Sequence, residues 1–94
     1  MTDIMAELRA RFLERCVGDL ERIAALGNRD ALAAEEMQGL VHGLAGAAGT
    51  FGFPGISAAA GACDDAFAGG GAPDRAMVER LVMTINEALA TRKG

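Results

Sequence analysis

The chain has 94 residues, enough for a single core and too few for two domains. Its apolar fraction is 51%, but alanine supplies much of it and the only aromatic residues are four phenylalanines, a composition suited to closely packed helices. Thirteen acids against nine scattered bases leave a net charge of −4, which excludes the basic footprint of a nucleic-acid binder.

From Thr2 to Leu26 the apolar residues Met5, Leu8, Phe12, Cys16, Leu20 and Ile23 recur at spacings of three and four, predicting a first helix over about 3–26 with one buried face. Thr2 or Asp3 caps its start and Gly27 ends it, while Arg9 falls within the stripe and has to snorkel. Asp3, Glu7 and Arg9 come too early for a secretory leader, so the expected location is cytoplasmic. The turn Gly27-Asn28-Arg29 leads to Asp30, an N-cap for a second helix over about 31–51 that carries Leu32, Met37, Leu40, Val41, Leu44, Ala48 and Phe51.

Gly52-Phe53-Pro54-Gly55 breaks the pattern, and Pro54 starts a third helix over about 54–68 that buries Ile56, Ala59, Ala60, Cys63 and Phe67. Gly69-Gly70-Gly71 is a loop without the GKS or GKT of a phosphate cradle. Pro73 and Asp74 then open a fourth helix over about 74–92 with Val78, Leu81, Val82, Ile85 and Leu89 inward. No segment alternates with period two. The expectation is a single all-α domain over residues 1–94, an antiparallel up-down-up-down four-helix bundle. The capped first helix and the charged Arg92-Lys93 end read as a complete domain.

Met37 to Cys63 carries no formally charged residue, but seven glycines and Pro54 interrupt it, which argues against a membrane span. Cys16 and Cys63 fall on apolar stripes as packing residues. With no CxxC pair and no second histidine, no metal site is expected.

The second helix also holds the only histidine, His42, among Gly39, Gly43, Ala45, Gly46 and Gly49. Each glycine inside a helix costs about 1 kcal/mol relative to alanine, so a purely structural helix has little reason to keep four. At about 100° per residue the apolar positions cluster in one direction, whereas His42 lies about 140° away and projects toward solvent. Gln38 shares its side. An acyl nucleophile would need a serine or cysteine beside the ring, and a general base would need a cleft that a small alanine-rich bundle lacks. What remains is an exposed nitrogen nucleophile whose electrophile arrives on a partner, and phosphoryl transfer, governed by positioning and charge, fits that description.

The segment from His42 to Phe53 resembles the signature of the histidine phosphotransfer (HPt) family: histidine, any residue, leucine, lysine, glycine, then serine or alanine, with a phenylalanine-glycine pair ending the helix. His42, Leu44, Gly46, Ala47, Phe51 and Gly52 match it. The resemblance implies that His42 accepts a phosphoryl group from the aspartyl phosphate of a response-regulator receiver domain and passes it to another receiver aspartate. It implies further that the receiver brings the Mg²⁺, that a hybrid sensor kinase is a possible source, and that the chain needs no cofactor of its own. Without an ATP-binding domain it would be a phosphotransfer intermediate rather than a kinase.

Attack from Nε2 requires the proton on Nδ1 and an acceptor to hold it there. In the family that acceptor is a glutamine or glutamate twenty-two positions after the histidine, and here the position is Asp64. Asp64 is shorter than either and needs a water where its reach falls short; the plain alternative to this orienting role is that Asp64 and Asp65 are an ordinary solvated pair. Gln38 is a second candidate at the rim. Gly39, Gly43, Ala45, Gly46 and Gly49 form the expected docking face. One departure matters: the family's lysine, three residues after the histidine, is Ala45, and Glu35, two turns before His42, adds negative charge. The alternative reading is therefore a module that binds receivers without relaying. A homodimer across Gly39-x-x-x-Gly43 is a third reading, against which a monomer is expected.

Overall fold

The computed structural model describes residues 3–26 and 31–91, the side chains of residues 31 and 32 excepted. The expected roles of Thr2, of the Gly27-Asn28-Arg29 turn, of Asp30, of the Leu32 side chain and of the Arg92-Lys93 end lie outside the described residues. Four helices follow one another, α1 (Ile4–Leu26), α2 (Ala31–Thr50), α3 (Pro54–Ala68) and α4 (Arg75–Thr91), with no strand among the described residues. The molecule measures 47 × 21 × 20 Å.

Each helix end has a local cause. Asp3 accepts the Met5 amide at 3.0 Å through Oδ1, satisfying one of the free donors at the start of α1. The last turn of α2 closes on Gly52, whose φ of +83° only glycine adopts without strain, and the Phe53 amide then reaches back to the Ala48 carbonyl at 2.8 Å. Pro54 occupies the first turn of α3, where its missing N–H is no loss. Asp74 accepts the Met77 amide at 2.9 Å and so caps α4.

Helix α1 packs on α2 and α4, and α3 packs on the same two, with α2 against α3 the most extensive seam. Phe12, Leu13, Cys16, Ile23 and Leu26 of α1 join Met37, Val41, Leu44 and Ala48 of α2 in one buried cluster. Ile56, Ala59, Ala60 and Cys63 of α3 and Leu81 and Ile85 of α4 complete it, and no polar or charged side chain is buried with them among the described residues. The Phe12 ring is met by Phe53 and Phe51 at centroid distances of 5.3 and 5.8 Å, so the chain reversal at Gly52 is pinned to α1.

The buried face of α1 differs from the one its periodicity predicts. Met5 is exposed, Leu8 and Leu20 are only half-buried, and Leu13 and Leu26 take their place in the core. Arg9 lies level with Phe51, so the first turn of α1 runs past the last turn of α2 and has less to pack against. Arg9 itself stays exposed and donates from Nε to the Phe51 carbonyl at 3.0 Å. A cation at the C-terminal end of α2 is favoured there by the helix dipole.

Leu44 is fully enclosed whereas Met83 is 61% exposed, so truncation separates the two. Leu44→Ala is expected to lower the unfolding free energy in urea by about 2–5 kcal/mol, and Met83→Ala to change it by less than about 0.5 kcal/mol.

Candidate functional site

The outer surface of α2 holds few side chains, and the helix keeps its geometry through contacts elsewhere. Its inner stripe is locked into the core, the Thr50 hydroxyl donates to the Gly46 carbonyl at 3.0 Å, and Ser57 on α3 donates to the Ala45 carbonyl at 2.9 Å. These contacts offset the poor helix propensity of the glycines. They also hold α2 close to α3: Gly49 faces Ser57, whose oxygen a methyl group there would meet at 3.4 Å, an ordinary van der Waals contact.

His42 leaves α2 on the solvent side, with 77% of its side chain exposed. Its Nδ1 lies 2.9 Å from Oδ2 of Asp64, one residue after the buried Cys63 on α3, and the Asp64 side chain is 24% exposed. The contact is direct and needs no water. A carboxylate only accepts hydrogen bonds, so this geometry calls for the proton on Nδ1 and leaves the lone pair of Nε2 facing solvent. The hydrogen bond to Asp64, reinforced by its charge, raises the His42 pKa above its ordinary value, and the slight burial of the ring opposes this.

Gln38 is exposed and makes no hydrogen bond to the ring, so Nδ1 is held from α3 rather than from the rim. Asp65 is exposed beside Asp64 and does not share the contact. The small residues around His42 divide into two groups. Gly39 and Gly46 border open space, with nothing near the position a side chain would take. Gly43, Gly49 and Ala45 instead line the seams with the flanking helices: Gly49 faces Ser57, Ala45 is half-buried, and a methyl group on Gly43 would meet Nη2 of Arg15 at 3.4 Å.

Arg15 was invisible as a neighbour of His42 in the linear sequence, where only its spacing of four from Asp19 hints at a pair. In the structure its Nε lies 3.5 Å from Oδ2 of Asp19 on the same helix. That oxygen is buried and has no hydrogen-bond partner among the described residues. Burial pushes the Asp19 carboxyl above its ordinary pKa, and the charge of Arg15 pulls it back. Arg22 pairs similarly with Glu36, tying the end of α1 to the start of α2.

Neither of the two main grooves among the described residues adjoins the imidazole. The larger groove, about 660 Å³, runs between α3 and α4 past Ala58, Ala62, Arg80 and Met83, and none of its lining residues belongs to the His42 face. Among the described residues no three His, Cys, Asp or Glu side chains cluster as a metal site, and no helix is long and apolar enough to cross a membrane. Cys16 and Cys63 are buried free thiols. Burial, with a smaller push from Asp19, raises the Cys16 thiol to about 11, so it is a packing group rather than a nucleophile.

A family model described as the Hpt domain matches residues 7–91, nearly the whole chain. No curated protein and no solved structure matches it.

The His42–Asp64 contact has a solution signature. Nitrogen-15 NMR of the histidine is expected to show the Nδ1–H tautomer and a pKa above the ordinary histidine value, returning to it in Asp64→Ala. Because the folded-state pKa is the higher one, the pair's contribution to stability is complete below the unfolded value and is lost as pH rises through the folded one. A titration identical in Asp64→Ala would mean that the pair does not form in water.

Proposed function

The chain belongs to the Hpt domain family, whose members pass phosphoryl groups through histidine in relays with receiver domains, and we propose that His42 is the histidine that carries the group here. The observation that supports this reading above all is the exposed ring whose Nδ1 faces a carboxylate, leaving Nε2 unhindered. The donor is the aspartyl phosphate of a response-regulator receiver, and a hybrid sensor kinase is one source of it. The Nε2 lone pair forms the N–P bond as the P–O bond to the aspartyl oxygen breaks, and the bonding pair of that bond leaves on the regenerated carboxylate. The Nδ1 proton stays on the ring, where Asp64 stabilises the positive charge that develops. Return of the group to a second receiver aspartate is the same step reversed.

In this reading the receiver docks over Gly39, Gly43, Ala45, Gly46 and Gly49, with Gln38 at the rim. The Mg²⁺ belongs to the receiver, since the His42 face offers a single close carboxylate and no cluster of oxygen ligands. The protein works as a monomeric carrier with no kinase activity of its own. A cytoplasmic location accords with Cys16 and Cys63 remaining free thiols. The helices run alternately up and down, which is supported by the contacts of Arg9 with Phe51 and Arg22 with Glu36 across α1 and α2. Across α2 and α3, Ala45 with Ser57 and His42 with Asp64 support it in the same way.

Ala45, where the family has a lysine, favours one second reading, a module that binds receivers without taking the phosphoryl group. Mixing with a radiolabelled phosphorylated receiver separates the two. The carrier acquires an acid-labile, alkali-stable label that is absent in His42→Gln, whereas a module binds the receiver and stays unlabelled. The uptake rate is expected to climb with pH through the raised His42 pKa and level off above it, because the protonated ring has no lone pair at Nε2. A rate that falls over that range would contradict attack by the neutral imidazole.

A further inference from the structure

A phosphoryl group on Nε2 brings between one and a half and two negative charges to a ring that already faces a carboxylate, about −1.5 to −2 at neutral pH. Glu35 is exposed two turns earlier on the same side of α2, and α2 carries no cation between Ala31 and Thr50. Whatever compensates that charge within this chain comes from another helix.

The described cations are six arginines, and most are committed elsewhere. Arg9 is bound to the Phe51 carbonyl at the far end of α2, Arg22 to Glu36, and Arg75 to Glu79, while Arg80 lines the groove between α3 and α4 and the exposed Arg11 approaches none of the α2 glycines. Arg15 is different. Its Nη2 lies over Gly43, the residue after His42, and only its Nε is turned to a partner, the Asp19 carboxylate at 3.5 Å. Its side chain is 48% exposed, and its terminal nitrogens have no hydrogen-bond acceptor among the described residues. A guanidinium held at one edge with its fork free suits bidentate binding of phosphate oxygens.

The surface between this fork and His42 is bare. At about 100° per residue, Gly46, Gly39 and Gly43 lie in turn around α2 between the direction of His42 and the seam with α1. Gly39 and Gly46 border open space, and a methyl group at Gly43 would meet only the tip of Arg15, at 3.4 Å.

We propose that Arg15 of α1 is the phosphoryl-binding cation of this site, its guanidinium moving across Gly43 to hold the oxygens of the group on His42 in place of a cation on α2 itself. Asp19 anchors it at Nε and leaves the terminal nitrogens for the phosphoryl group. Arg15 makes and breaks no bond; it offers hydrogen bonds and charge that strengthen as the group arrives on Nε2. The inference rests on the assignment of His42 as the phosphoryl carrier.

The test uses phosphoramidate, a small donor that needs no docked receiver, and reads the label on His42 by intact mass against time. In this reaction the P–N bond of the donor breaks, ammonia leaves, and Nε2 takes the phosphoryl group. Arg15→Gln is expected to slow labelling about tenfold, the effect of losing a charge-assisted hydrogen bond at an exposed site. Arg15→Lys is expected to recover only part of that loss, because lysine keeps the charge without the bidentate fork. Adding Ala45→Lys to Arg15→Gln restores the rate if the missing element is charge, which a packing defect would not allow. Native-rate labelling of Arg15→Gln overturns the inference and leaves His42 as the carrier, as does slow labelling that Ala45→Lys fails to restore. Native protein that takes no label on His42, either from phosphoramidate or from a phosphorylated receiver, overturns the carrier assignment and the inference with it.

Discussion

A carboxylate on α3 faces Nδ1 of an imidazole on α2, and everything chemical at this site follows from how closely those two helices pack. The aspartate side chain is short, so a direct contact of 2.9 Å demands close backbones. Small residues, Ala45 and Gly49, line that seam, and the Ser57 hydroxyl fixes the register by bonding the Ala45 carbonyl. Packing thereby sets a tautomer: with Nδ1 donating to Asp64, Nε2 is left as the exposed nucleophile.

The glycines of α2 then have separate physical roles rather than one. Gly49 faces Ser57 of α3, Gly43 lies under the tip of Arg15 from α1, and Gly39 and Gly46 keep the solvent side clear. A helix with this many glycines is weak in isolation. It persists because Val41, Leu44 and Ala48 are wholly buried on its other side and because the Phe51 and Phe53 amides bond the Ala47 and Ala48 carbonyls near its end. Burial on one face supports an outer face kept nearly free of side chains.

The same arrangement explains why a negatively charged protein can serve an anionic group. The net charge of −4 is a property of the whole chain, but the seam of α1 with α2 carries Arg9, Arg15 and Arg22 along the edge of the His42 face. Arg9 and Arg22 are engaged with a helix end and with Glu36, where they fix the placement of α1 against α2. Arg15 sits between them with its terminal nitrogens unengaged.

Much of this was legible in the sequence because it depends on local chemistry. The span of α3 follows from Pro54 at one end and the glycine run at the other, and the outward direction of His42 follows from the rotation per residue of its own helix. What one helix does to another was not legible. Met5 has the right spacing for burial and is exposed, because α1 runs past the last turn of α2. The direct reach of Asp64 depends on an interhelical separation that no spacing encodes, and a helical wheel cannot tell whether Arg15 turns toward α2 or away. Periodicity, caps and breakers act within a few residues along the chain, so the sequence by itself determined four helices and a solvent-facing histidine. Distances across seams depend on how all the side chains of the core fit together at once, so only the tertiary structure decided that Asp64 reaches the ring directly and that Arg15 lies over Gly43.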